Sequence, residues 1–339
     1  MGNVSLRILI VESFGFSPEA VATLRQLGEV VLADLDRPGL LAAVSGTDIL
    51  WVRLRHAIDE EVLDRAVRLR YVVTPTTGLT HVDLAAAEER GIEILSLRGE
   101  REFLRNVRGT TEHTVGLMLA LLRHIPAASR QVVEGGWDRD AFWGRELFGK
   151  TVGIIGFGRI GQQAARCLLA FGVRVLATDP SSQPSIDLPE VRMVPLIPLM
   201  READVVTLHA SFSEHNRRFI GDREFASMKP GAIFVNTARG ELIDEPALLF
   251  ALESGRLAGA ALDVLSEEQT TTAADHPLVR YAQSHDNLLI TPHIGGCTVE
   301  SMRKTEEFLA IRLATVCRAP ASSHASVAAS AGSARGRRP

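Results

Sequence analysis

The sequence predicts an α/β protein built as two doubly wound parallel sheets, and three observations carry that prediction. Short apolar runs alternate with amphipathic stretches of about ten residues, the pattern of parallel strands joined by helical crossovers. The alternation is interrupted once, past Asn106, by a long apolar helix, and it resumes at Thr151. The chain has 339 residues, a length that accommodates two sheets of this kind.

The elements follow in order. Leu6 to Val11 is a first apolar strand, and Ser17-Pro18 supplies a cap and first-turn residue for a helix running to Leu27, where Gly28 stops it. Ile49 to Val52, Tyr71 to Thr74 and Ile92 to Leu95 read as strands, with helices expected from about Asp59 to Leu69 and Val82 to Arg90. Val115, Leu117, Met118, Leu119, Leu121, Leu122 and Ile125 then make one helix that is apolar on nearly every side and must be covered. From Thr151 a second series places strands at 152–155, 173–177, 204–208, 232–235 and 258–262 and continues to about Ile290. A last helix is expected from Thr298 to about Val316. The segment 319–339 is Ala, Ser, Gly and Pro with arginines and no acid, a composition expected to be disordered.

Composition removes several functions. With 37 Lys plus Arg against 41 Asp plus Glu, the net charge is −4, which leaves no basic excess for nucleic acid but still permits a local patch for a small anion. Cys167, Cys297 and Cys317 are widely spaced and form neither a disulfide framework nor a thiolate metal site. No histidine spacing marks a metal, and Gly-x-Ser-x-Gly is absent. No apolar run approaches the roughly 20 residues that span a bilayer. The stretch after Arg7 is too short for a signal-peptide core, so a cytoplasmic location is expected.

The strongest local signal is Gly156-Phe-Gly158-Arg159-Ile160-Gly161, which follows an apolar strand and opens a helix. Gly156 permits the tight turn, Gly158 lets backbone approach a pyrophosphate, and Gly161 lets the helix pack close to the strand. The helix N-terminus adds oriented N–H groups for the anion. The second strand of this series ends in Asp179, 18 residues beyond Gly161. A carboxylate there accepts hydrogen bonds from ribose hydroxyls and repels a 2′-phosphate, so NAD is expected over NADP. His209, at the end of the strand Val205 to Leu208, is expected beside the cofactor groove.

Three further strand ends carry Arg239, Glu268 and His293. Ligands bind at the carboxyl edge of parallel sheets, and this combination suits reduction of a carbonyl. A guanidinium holds a carboxylate and polarises the carbonyl, an imidazolium supplies the proton, and a carboxylate stabilises that imidazolium. Taken singly, each of the three has an ordinary structural reading. Their joint placement is what points to chemistry.

At these residues the chain resembles the D-isomer-specific 2-hydroxyacid dehydrogenases, in particular their phosphoglycerate dehydrogenase-like members. The resemblance covers roughly residues 45 to 317 and rests on Gly149 to Gly161, Met228 to Gly240, Gly259 to Val264 and Thr291 to Gly296. It implies a Rossmann nucleotide-binding domain at 105–296 inserted into a flavodoxin-like substrate domain, made of 1–104 and a returning helix at 297–318, with the active site in the cleft. It also implies Arg239 as substrate anchor, Glu268 as partner of the histidine and His293 as acid/base. Thr237, Ala238 and Asp263 are expected at the cofactor together with Arg159 and Ile160. Arg53, Thr76, Thr77, Gly78, Asn106 and Arg108 are expected at the substrate. With Arg55 nearby, these arginines suggest a substrate carrying a second anion, such as phosphate or phosphonate.

The expected reaction interconverts a 2-oxo acid and a D-2-hydroxy acid with NAD, and the expected partners are that small acid and, through the apolar helix at Thr114 to Arg123, a second copy in a homodimer. The same fold also serves NAD-sensing corepressors with little turnover, which is the alternative of another class.

Overall fold

The computed structural model describes residues 5–181, 187–266, 268 and 273–318; the segment 319–339, expected to be disordered, lies outside these, as does Glu267. The chain divides into two compact units, one of residues 1–97 with 303–339 and one of residues 98–302.

The first unit holds strands β1 (Leu6–Ile10), β2 (Gly28–Leu32), β3 (Ile49–Trp51), β4 (Tyr71–Thr74) and β5 (Glu93–Ser96) in the order β2-β1-β3-β4-β5, all parallel. That is the flavodoxin-like order. Strands β3 and β4 are buried along their whole length, as parallel strands covered on both faces must be. Leu9, Leu50 and Val72 meet Val62, Leu63 and Ala87 of the crossover helices in one core. The helices start where the sequence supplies an acceptor: Ser17 Oγ takes Ala20 N–H at 3.3 Å, Asp59 takes Val62 N–H at 3.2 Å, and Asp83 takes Ala86 N–H at 2.9 Å.

The second unit holds β6 (Thr151–Ile155), β7 (Arg174–Thr178), β8 (Arg192–Met193), β9 (Val205–Leu208), β10 (Ala232–Asn236), β11 (Leu257–Leu262) and β12 (Leu288–Ile290), ordered β12-β11-β10-β9-β6-β7-β8 and again all parallel. Winding outward from β6 in both directions, this is the Rossmann order extended by one strand. Strand alternation divides its side chains between two cores. Phe234, Val206 and Leu208 face one, while Ile233, Val235 and Val205 face the other.

The long apolar helix breaks earlier than its composition predicts. It runs from Gly109 to Leu122, His124 takes a left-handed conformation (φ 53°), and a second helix begins at Ile125. Pro126 explains the break, because it has no N–H to donate and restricts the residue before it. Leu117, Met118, Leu121 and Leu122 are absorbed by the core of the same unit, so the apolarity of this helix is largely met within the chain. Exposed apolar surface lies in the segment that follows, at Ile125, Val132, Val133, Trp137, Trp143 and Phe148. A helix at Arg37–Ala43, capped by Asp36, is an addition to the sequence reading. The last helix runs from Val299 to Arg318.

Candidate active site

The strand order sets where chemistry can occur. The sheet reverses direction of winding between β6 and β9, so the turns after those strands diverge and leave a crevice at their carboxyl ends. The glycine-rich turn follows β6, Asp179 follows β7 and His209 follows β9.

Gly156 is left-handed (φ 91°), and a Cβ there would lie 2.5 Å from the Ala210 nitrogen. At Gly161 a Cβ would lie 2.2 Å from the Gly156 carbonyl oxygen, which is the close helix-to-strand packing expected of the third glycine. Gly158 differs from both: no atom lies within 4 Å of where its Cβ would be, so its backbone is open to approach at the N-terminus of the helix Arg159–Leu169. Asp179 braces this turn, its carboxylate accepting from Phe157 N–H at 2.8 Å and from Ser181 N–H and hydroxyl at 2.8 Å each.

His209 pairs through Nε2 with Thr207 Oγ1 at 3.0 Å, while its Nδ1 is buried without a protein partner. Burial lowers its pKa to about 4, so the ring is neutral at physiological pH. An open glycine backbone, a helix N-terminus and an unpartnered imidazole nitrogen fit a dinucleotide. Ile160 is half-buried beside them. Arg159 turns away: its guanidinium donates to the carbonyls of Leu104 at 3.3 Å and Val107 at 3.1 Å. The Arg159 side chain is therefore a clamp on the 104–107 segment, which leaves its backbone N–H for a ligand.

The adjacent strands β10, β11 and β12 carry the second group. After β10, Asn236 shapes the turn by accepting Ala238 N–H at 2.9 Å and donating to the Arg239 carbonyl at 2.9 Å. Thr237 is buried and bonded to Thr114 Oγ1 at 2.8 Å. Gly240 is required next to Arg239, since a Cβ there would come within 2.1 Å of the backbone at Leu265 and Ser266. That contact draws the loops after β10 and β11 together. Burial pulls the Arg239 pKa down, and the carboxylates of Glu268 and Glu241 oppose that effect. Glu268 accepts a hydrogen bond from Leu265 N–H at 3.5 Å and pairs with His293 Nδ1 through its other oxygen. The structure thus brings Arg239, Glu268 and His293 together.

His293 itself is left-handed (φ 53°), a conformation that costs energy in a non-glycine residue and is held here by its surroundings. Its N–H donates to the carbonyls of Asp263 at 2.9 Å and Thr291 at 3.0 Å. The Asp263 carboxylate fastens the same loop, accepting from Thr291 Oγ1 at 2.6 Å, Ile294 N–H at 2.9 Å and Gly295 N–H at 2.7 Å, with His113 Nε2 at 3.2 Å. Asp263, expected at the cofactor, is occupied with holding the loop that presents His293.

The residues expected at the substrate divide. Thr76 Oγ1 donates to the Gly78 carbonyl at 2.8 Å and shapes the turn after β4, on which Thr77 is exposed. Asn106 and Arg108 are exposed just ahead of the helix that begins at Gly109. Arg53 departs from expectation. Its guanidinium binds the buried Glu306 carboxylate at 2.5 Å and the Phe14 carbonyl at 2.9 Å, so its charge is already neutralised. Arg55 lies 3.6 Å from Asp34. Arg53 therefore offers no uncompensated charge to a second anion, whereas Arg55 is exposed and only loosely paired.

Two residues of this region carry no signal in the sequence reading. Glu245 accepts Ser266 N–H at 2.7 Å and pairs with His276 Nε2 at 3.2 Å. Both stand beside a proline at a helix start, Glu245-Pro246 and His276-Pro277, which reads as capping until the two helices are brought together. Among the described residues no group of three or more His, Cys, Asp or Glu could hold a metal, and no helix is long and apolar enough to cross a membrane.

Comparison with known proteins decides the family. Residues 115–295 match the model of the D-isomer specific 2-hydroxyacid dehydrogenase, NAD binding domain. The chain belongs to the D-isomer specific 2-hydroxyacid dehydrogenases. It is 38 % identical over 276 residues to a hydroxypyruvate reductase of Thermotoga maritima, covering 81 % of this chain and 87 % of that one. It is 37 % identical over 315 residues to a D-3-phosphoglycerate dehydrogenase of Mycobacterium bovis, covering 92 % of this chain and spanning 57 % of that relative's length. A D-lactate dehydrogenase of Aquifex aeolicus, solved with NAD and lactic acid, aligns at 27 % identity with a TM-score of 0.76, over 91 % of this chain and 95 % of that one. The dehydrogenase is therefore an oxidoreductase with NAD as its cofactor.

Proposed function

We propose that this dehydrogenase interconverts a 2-oxo acid and the corresponding D-2-hydroxy acid, with Arg239, Glu268 and His293 as its reacting set. The observation that carries the proposal is the convergence of these three on adjacent strand ends, beside a nucleotide turn whose Gly158 backbone stands open. In this reading residues 105–296 form the NAD-binding domain, and residues 1–104 with the helix at 297–318 form the substrate domain.

The cofactor supplies or accepts a hydride when bound, held by Gly156, Gly158, Gly161 and the Arg159 and Ile160 amides, by Asp179 and by His209. The chain's own residues do the rest. Arg239 holds the substrate carboxylate and polarises the neighbouring carbonyl, a task its burial strengthens because charge acts further in a dry site. His293 Nδ1 is committed to Glu268, which leaves Nε2 to deliver a proton to the oxygen at C2. Glu268 fixes the ring's orientation, as a carboxylate does in other acid/base pairs. Reduction consumes a proton and oxidation releases one, so oxidation gains as pH rises. In the substrate domain the amides of Thr76 to Gly78 are donors for a carboxylate. Thr237, Ala238 and Asp263 shape and anchor the cofactor side of the site.

The substrate class follows from the relatives named for hydroxypyruvate and phosphoglycerate. With Arg53 neutralised by Glu306, a singly charged 2-oxo acid of the hydroxypyruvate type is favoured, and the exposed Arg55 and Arg108 are the candidate cations for a substrate with a second anion. The exposed apolar segment from Ile125 to Phe148 supports a homodimer. The test follows NADH absorbance against glyoxylate, pyruvate, hydroxypyruvate, 3-phosphohydroxypyruvate and phosphonopyruvate, with NADPH in parallel. Turnover of at least one acid with NADH, yielding the D-product, is expected. An inert panel with intact NADH binding overturns the proposal.

A further inference from the structure

Behind the loop that carries Glu268 lies a second carboxylate–imidazole pair. Glu245 begins the helix Glu245–Glu253 and His276 caps the helix Pro277–Ala282, and both side chains are nearly buried. The hydrogen bonds fix the tautomer of His276. Leu278 N–H donates to its Nδ1 at 3.3 Å, so the ring proton sits on Nε2 and faces Glu245 Oε2 at 3.2 Å. The other oxygen of Glu245 accepts Ser266 N–H at 2.7 Å, and the amide just before it, Leu265 N–H, donates to Glu268 at 3.5 Å. Two successive amides of one turn are thus bound by two carboxylates. Gly240, next to Arg239, also abuts the backbone of Leu265 and Ser266.

We propose that Glu245 and His276 are positioning residues for the reaction: by gripping Ser266 they set the turn that aims Glu268 at His293 and holds Arg239 alongside. The inference rests on the assignment of Glu268 and His293 made above. The pair is costly, since burial raises the Glu245 pKa against the pull of the Ser266 amide and of His276. A well-packed apolar pair is the cheaper way to join two helices, so the presence of an ionisable pair at this place is accounted for by what it holds. Reacting groups need supports locked by their own hydrogen bonds, and small misplacements are expensive in rate.

The substitutions E245Q and H276N separate this role from stability. In E245Q one carbonyl remains for two donors, so either Ser266 or His276 loses its partner. In H276N the asparagine still caps the helix, a role it fills well, while contact with Glu245 is lost. The readout is the His293 Nδ1–H proton, whose hydrogen bond to Glu268 gives a far-downfield imidazole resonance, identified by its loss in H293Q. Thermal melting and NADH binding followed by fluorescence are measured alongside.

The resonance is expected to move upfield or broaden away in both folded variants. NADH affinity stays within about twofold, and kcat for hydroxypyruvate falls about tenfold or more. Persistence of the resonance at its original position in both variants overturns the proposal. If E268Q leaves the resonance in place, or the unaltered enzyme lacks it, the pairing of Glu268 with His293 is itself refuted.

Discussion

Replacing His209 by glutamine isolates one proton-linked contribution to stability. Its folded pKa of about 4 lies below the ordinary value of 6.5 because burial disfavours the charged ring. The sign follows from linkage. A group with a depressed folded pKa stabilises the fold above its unfolded pKa, and that contribution is lost as pH falls towards the folded value. A difference of about 2.5 pKa units at about 1.4 kcal/mol each gives ~3 kcal/mol, with roughly 2 kcal/mol already lost at pH 5. Glutamine reaches the position of Nε2 and keeps a partner for Thr207 Oγ1 while removing the titration. Urea denaturation of both proteins from pH 7 to pH 4 measures the difference directly, since titrations common to both cancel. The stability gap between the two proteins is expected to shift by about 3 kcal/mol in favour of the variant over that range. Parallel stability curves refute the assignment of a neutral, desolvated His209.

Three further outcomes are expected. Asp179→Ala removes the carboxylate at the end of β7 and its bond to Phe157 N–H; the ratio of kcat/KM for NADPH over NADH should rise about tenfold or more, and an unchanged ratio rules out its role in choosing NAD. Gly161→Ala drives a Cβ to 2.2 Å from the Gly156 carbonyl, which should cost about 1–3 kcal/mol in chemical denaturation and weaken NADH binding. Glu306→Ala strips Arg53 of its counter-charge and the Ser17 amide of its acceptor; a loss of about 3 kcal/mol by denaturation is expected, and a change below about 0.5 kcal/mol shows the pair to be idle.

The site was legible where its signal is local. A strand, three spaced glycines and an acid at the next strand end are all read within one crossover, and Arg239, Glu268 and His293 are found by asking what parallel strands present at their carboxyl ends. The sequence is silent where a partner lies far along the chain. Arg53 looks like a free cation until Glu306, 253 residues away, is folded against it. Asp263 also fastens the loop from Thr291 to Gly295 through its carboxylate, which only the folded chain shows. Glu245 and His276 give no such signal because each sits at the start of its own helix, Glu245 just after the Asp244 cap and His276 as a cap itself, and only tertiary packing joins them. In the fold, strand positions followed from apolar runs, whereas the break at His124 turned on Pro126, a single residue whose effect the apolarity around it concealed.

The most direct test of the account is a single-turnover measurement with saturating NADH and hydroxypyruvate, comparing the unaltered enzyme with His293→Gln. Proton delivery from His293 predicts a loss of about a hundredfold to ten-thousandfold in the chemical step with NADH affinity unchanged. A variant that reacts at a rate close to that of the unaltered enzyme contradicts the assignment of His293 as the acid.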